Sequence, residues 1–239
     1  MFSPFLLAIS SLVFPVSCPS CSKPSQEDFI KFGICLKCKD LIRTEVSITN
    51  RGSLRIFAGS KYNPNLSRII LAAKEENQIQ ARNFLAERLN ESLVKALREL
   101  SLIKELAIRN VVLIPIPSRR LADRKRGFAH VELLIAQLMI RNGSLNFKVL
   151  NCLSHSRKIA DQTSLNFNER ALNMKGAFVI DQIKYLEIYP TKNSNSVVFL
   201  VDDLVTTGAT VQAANMALLT LGGRVDGVLA SCATPGFTH

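Results

Sequence analysis

The stretch Val198-Phe199-Leu200-Val201-Asp202-Asp203-Leu204-Val205-Thr206-Thr207-Gly208-Ala209-Thr210 decides the fold. Its apolar run reads as a strand buried on both faces, and buried strands of that kind belong to parallel sheets. Two carboxylates at the strand end are placed to accept hydrogen bonds from sugar hydroxyls. The turn Thr206 to Thr210 then offers hydroxyls and successive backbone N–H groups at the start of a helix, a cradle for a phosphate. Gly208 lets the backbone approach closely. A lone pair of acids after a strand reads more simply as a helix cap and a solvated charge. The apolar run, the threonines, the glycine and the following helix in register argue against that simpler reading.

Outward from this segment, strands and helices alternate. Val111 to Ile114 is a second buried strand, delivering its end to the loop Pro115-Ile116-Pro117-Ser118-Arg119-Arg120. Phe128 to Arg141 reads as a helix stopped by Asn142-Gly143, Val211 to Leu221 as a helix closed by Gly222-Gly223, and Val225 to Ala230 as a third buried strand. Between Asn65 and Asn110 there is neither Pro nor Gly. Leu85, Leu89, Leu93, Leu97, Leu100 and Ile103 recur there at helical spacing, which predicts one amphipathic helix or two in succession. Weaker strands are expected near Phe147 to Leu150 and Ala177 to Ile180, with a basic loop between them. The expectation is an α/β domain, a parallel sheet flanked by helices with its ligand crevice at the strands' carboxyl ends.

Four of the six cysteines form the pattern Cys18-x2-Cys21-x13-Cys35-x2-Cys38. Each two-residue gap aims both sulfurs at one metal, and two such knuckles complete the tetrathiolate of a structural Zn²⁺ site. Two disulfides or four buried thiols are the alternatives, disfavoured by a reducing compartment and by the paired spacing. A closed site has no open position for substrate, so its role is folding or binding. The division expected is residues 1–45 for an amphipathic N-terminal helix and zinc module, and residues 46–239 for the α/β domain. Phe2, Phe5, Leu6, Ile9 and Val13 carry the helical spacing of that first segment. No base precedes Lys23 and no small-residue cleavage site follows, so it does not read as a secretory signal. Too short to span a bilayer, it leaves a cytoplasmic location as the expectation and peripheral membrane contact as the weaker alternative.

The net charge of +11 is uneven: 16 bases and 10 acids in residues 1–110, 10 and 4 in 111–170, and 4 and 5 thereafter. A positive field over the first 170 residues attracts polyanions, without choosing between a pyrophosphate and a nucleic acid. Arg119, Arg120, Arg124, Lys125 and Arg126 crowd just past a strand end, where guanidinium forks suit pyrophosphate oxygens. Arg119 and Arg120 are read as pyrophosphate contacts. Arg124, Lys125 and Arg126 are read as contacts to pyrophosphate or a nucleic-acid backbone, with a solvated helix face as the alternative for the cluster.

The segment from Val198 to Thr210 resembles the 13-residue signature of type I phosphoribosyltransferases, and the whole chain resembles the ComF family. The cysteine pairs, Pro115-Ile116-Pro117, Arg126-Gly127-Phe128, Gln162, Leu165, Glu169-Arg170, Asn173, Gly176-Ala177-Phe178 and the signature stand in that family's order. The resemblance implies that 5-phosphoribosyl-1-pyrophosphate binds with Mg²⁺. Asp202 and Asp203 would hold its ribose diol, Thr206, Thr207, Gly208, Ala209 and Thr210 its 5-phosphate, and Ser118, Arg119 and Arg120 would lie by its pyrophosphate. It also implies single-stranded DNA and other DNA-uptake proteins as partners, in natural transformation. The enzymatic alternative is phosphoribosyl transfer to an unidentified acceptor. Only 29 residues follow Thr210, so an acceptor pocket would come from the zinc module or residues 151–190. Ala129 and His130 depart from the family's Asn-Gln, and His130 alone reads as a surface residue. Thr206 stands where purine-salvage members carry an Asp base, which argues against that chemistry and leaves no obvious general base.

Overall fold

The computed structural model describes residues 17–24, 33–42, 45–104, 108–118, 124, 126–156, 176–189 and 196–235. The N-terminal amphipathic segment, Arg119, Arg120, Lys125 and the family-like positions between Gln162 and Asn173 lie outside them.

Among these residues the elements run α1 Leu36–Leu41, β1 Ser47–Arg51, β2 Leu54–Ala58, α2 Pro64–Lys74, α3 Ile79–Lys104, β3 Asn110–Pro115, α4 His130–Arg141, β4 Asn146–Val149, β5 Leu153–His155, β6 Phe178–Ile180, α5 Gln182–Ile188, β7 Ser196–Val205, α6 Ala209–Leu219 and β8 Gly227–Ala233. Six strands form one sheet in the order β1-β2-β8-β7-β3-β4. The five strands from β2 to β4 are parallel neighbours, and β1 closes the edge as an antiparallel hairpin with β2. Strands β5 and β6 pair separately and antiparallel. The sheet is therefore mostly parallel and flanked by helices, as expected, with an antiparallel hairpin edge that the sequence reading did not include.

Successive side chains of a strand point to opposite faces, and β7 shows it. Val197, Phe199 and Val201 join an apolar cluster with Leu66 and Ile69 of α2, Leu85 and Leu89 of α3, and Leu134 of α4. Val198 and Leu200 join a second cluster with Val211, Ala214 and Leu218 of α6 and with Phe178 and Tyr185. Helices thus cover both faces, and β7 is buried between them. The Pro-free, Gly-free segment resolves into two helices, and α2 begins where Asn63 Oδ1 accepts the Leu66 N–H at 2.9 Å ahead of Pro64 at the first turn. Leu85, Leu89, Leu93 and Leu100 are buried, whereas Ile103, in the last turn of α3, is exposed.

The cysteine module is continuous with this body. Ile34, Ile42, Cys18 and Cys38 belong to the cluster built around α2 and α3. Gly33 adopts φ +70°, and a Cβ there would lie 2.4 Å from the Gln80 carbonyl oxygen, so only glycine permits this approach to α3. Arg68 adds a hydrogen bond to the Ser20 carbonyl at 3.1 Å. No helix among the described residues is long and apolar enough to cross a membrane.

Candidate functional site

At the carboxyl ends of β3 and β7 lies a cavity of about 320 Å³. Ser118, Asp202, Asp203, Thr206 and Thr210 line it together, joined by Lys74 from the end of α2 and His155 from β5. Five residues chosen from the sequence therefore meet in one place. Thr207 and Ala209 instead border a larger apolar groove of about 790 Å³ between α6 and β6. The Thr207 hydroxyl oxygen accepts the Ala209 N–H at 3.3 Å, so it serves the turn itself.

The two adjacent acids are not equivalent. Asp203 continues the odd-numbered face of β7, toward α2 and α4, and is only 3% exposed. Its Oδ2 accepts from Lys74 Nζ at 2.9 Å, and its Oδ1 accepts the Leu204 N–H at 2.9 Å. Asp202 lies on the alternate side and is half-buried at the cavity, its Oδ1 accepting the Asp203 N–H. Burial raises both carboxyls, but for Asp203 the charge of Lys74, the neighbouring His130 and hydrogen bonds from Lys74 and Asp202 together outweigh it, and the group is held below the ordinary carboxylate range. Asp202 is pushed well above that range, first by burial and then by the charge of Asp203. The two carboxylates have divided their work: Asp203 is locked in an ion pair, and Asp202 faces the cavity.

His130, expected at the surface, is fully buried. It opens α4 directly beside Asp203, with Nε2 3.6 Å from Oδ2 and neither ring nitrogen hydrogen-bonded among the described residues. Burial lowers its pKa to about 4, with Lys74 and Arg126 reinforcing the shift and Asp203 opposing it, so the imidazole is neutral at pH 7. His155, absent from the sequence reading, bonds through Nε2 with the Pro117 carbonyl at 2.8 Å and brings the β5–β6 hairpin to the cavity. Its segment falls within residues 151–190, one of the two regions, with the zinc module, from which an acceptor pocket would come.

Of the basic cluster, Arg124 is exposed. The Arg126 side chain is covered, and its Nη1 lies 3.4 Å from Glu75 Oε1, so it presents no open fork to a ligand. Arg51 of β1 is a further residue beside the site that sequence reasoning missed. Buried beside the Thr206–Thr210 turn, it donates through Nε to the Thr206 carbonyl at 3.0 Å and through Nη2 to the Thr234 carbonyl at 2.8 Å.

The four module cysteines bring their sulfurs within 4.8 Å of one another. The Cys21–Cys35 sulfur distance of 3.8 Å equals the edge of a tetrahedron whose metal–sulfur bonds are about 2.3 Å. Burial pushes the Cys38 thiol up to about 12, an obstacle that a bound cation removes by holding the ligand as thiolate. Cys18, Cys21, Cys35 and Cys38 can thus hold a metal ion, with the donor set that zinc prefers. Cys152 and Cys232 are buried elsewhere.

A scan against protein-family models and a search of curated proteins returned no match for this chain.

Proposed function

We propose that the cavity between β3 and β7 binds 5-phosphoribosyl-1-pyrophosphate or a close phosphoribosyl relative, with Mg²⁺, and that the four cysteines hold structural Zn²⁺. The observation that carries this reading is the convergence of Ser118, Asp202, Thr206 and Thr210, the last in the first turn of α6, on one cavity. The amides of Thr210 and Val211 open that helix without an intrahelical acceptor, as the first N–H groups of any helix do, and they supply the anion end. Asp202, the carboxylate not held by Lys74, is the ribose acceptor. Ser118, on the cavity lining after β3, is the pyrophosphate-side contact.

The test is calorimetry with 5-phosphoribosyl-1-pyrophosphate, with and without Mg²⁺. Mg²⁺-dependent binding that Asp202→Asn weakens on the order of tenfold supports the reading, since a bound cation would favour the ionised form of Asp202 against its burial, and hydrogen bonds to charged groups are about twice as strong as neutral ones. No binding at millimolar ligand refutes it. Single-stranded DNA is the second ligand of this ComF-like reading, in DNA uptake, and the +11 charge is what supports it; affinity that falls steeply with salt is its signature. Phosphoribosyl transfer is tested separately, by pyrophosphate release across a panel of acceptors.

A further inference from the structure

Arg51 is the buried residue of β1, 6% exposed. Among the described residues, all its hydrogen bonds go to neutral acceptors: the carbonyls of Asn50, Thr206 and Thr234, and the hydroxyls of Thr49 and Thr234. No carboxylate of the described residues lies within ion-pair distance of it. A buried cation without an anion is costly, and burial accordingly lowers the Arg51 pKa. Its aliphatic stem fills the space beside Gly208, where a Cβ would lie 2.6 Å from Cγ. That packing explains why Gly208, at φ +81°, stands in the turn.

The Thr206 carbonyl receives a second donor, the Thr234 hydroxyl at 3.1 Å, and Thr234 N–H anchors to the Val205 carbonyl at 3.0 Å. The peptide that follows Thr206 is planar and trans, so its N–H, on Thr207, points opposite to the pinned carbonyl. Two donors that hold the oxygen on the Arg51 side therefore turn the Thr207 amide toward the other side, where it has no partner among the described residues. A flipped peptide would instead present a carbonyl oxygen to an anion.

We propose that Arg51 is the positioning residue of the Thr206–Thr210 turn. It fixes the orientation of the Thr206–Thr207 peptide, and its uncompensated charge backs the turn for a phosphate monoester. This inference rests on the proposed phosphoribosyl site for the identity of the anion. The orientation of the peptide stands independently of it.

The experiment compares wild type with Arg51→Met and Arg51→Lys, using ribose 5-phosphate and Mg²⁺-pyrophosphate as probes and amide hydrogen exchange over residues 206–211 as a ligand-free readout. Arg51→Met lowers ribose 5-phosphate affinity at least tenfold, leaves Mg²⁺-pyrophosphate affinity within twofold, and accelerates exchange in the turn. A residue that merely supports the fold would weaken both probes together. Arg51→Lys keeps stem and charge but not the fork, so it loses at least threefold for ribose 5-phosphate alone, and it decides the matter where Arg51→Met does not fold. Wild-type affinity for ribose 5-phosphate together with unchanged exchange in the folded variant overturns the proposal, as does equal weakening of both probes. If wild type binds neither probe, the phosphoribosyl reading fails, and exchange alone judges the positioning role: faster exchange in the variants upholds it, and unchanged exchange overturns it.

Discussion

Replacing Lys74 by methionine isolates the electrostatics of the site. The side chain keeps its length and apolar stem but leaves Asp203 without its cation at 2.9 Å. Breaking a buried ion pair by removing one partner costs about 3–5 kcal/mol, because the remaining charge is stranded, a large share of the roughly 5–15 kcal/mol that stabilises a domain. The structure predicts an asymmetry. The Asp203 side chain is 4% exposed and the Lys74 side chain 32%, so a stranded Lys74 can turn to water and a stranded Asp203 cannot. Asp203→Asn is therefore milder than Lys74→Met, and the double variant regains much of the single loss. In wild type the depressed Asp203 pKa contributes stability above the unfolded value, lost as pH falls through the folded one. In Lys74→Met the sign reverses: the folded carboxyl pKa rises, and the deficit is greatest at pH 7 and shrinks by up to about 1.4 kcal/mol per unit as the pH falls. A proton taken up by His130 instead of Asp203 relieves the pair equally. Urea unfolding at pH 7 and pH 5, with the slope checked for constancy, measures all three variants. A Lys74→Met loss under about 1 kcal/mol at pH 7, or one that does not change with pH, refutes the reasoning.

Protein prepared without added metal carries one zinc per chain by elemental analysis; Cys38→Ser abolishes it, and changes at Cys152 or Cys232 do not. His130 is held neutral with a pKa of about 4 against 6.5 unfolded, so its contribution is fully present above pH 6.5 and about 3 kcal/mol is lost as the pH falls to 4; in His130→Gln that acid limb disappears from denaturation measured across the range. Thr210→Ala weakens phosphoribosyl binding by about 1–3 kcal/mol, as for a hydrogen bond to a charged group. Thr207→Ala weakens it less, because that hydroxyl already bonds the Ala209 amide; calorimetry separates the two.

What the sequence made legible follows from how each element is stabilised. Strand β7 and its turn could be read because burial on both faces leaves a continuous apolar run, and the acids, glycine and threonines mark where it ends. The paired cysteines were legible because ligand spacing is local. The hairpin β1–β2 was not: Ser47-Ile48-Thr49-Asn50-Arg51 is polar, its buried position is occupied by an arginine, and no apolar alternation marks it. Arg51 and Thr206 are 155 residues apart, so only the closed sheet edge brings them together. Lys74 and His130 were hidden by the same kind of distance, yet one signal could have found their neighbourhood. Alternation along β7 puts Val197, Phe199 and Val201 against α2 and α4, and Asp203 is the next residue on that face. A carboxylate directed into a helical layer requires a cation there, and the first basic residue at the crevice end of α2 is Lys74. Read residue by residue, the signature offers two equivalent acids. Read with the period of the strand, it offers one for the protein's own interior and one for the cavity. On that argument Asp202 faces the cavity, while Asp203 and Lys74 fix the frame in which that carboxyl is held.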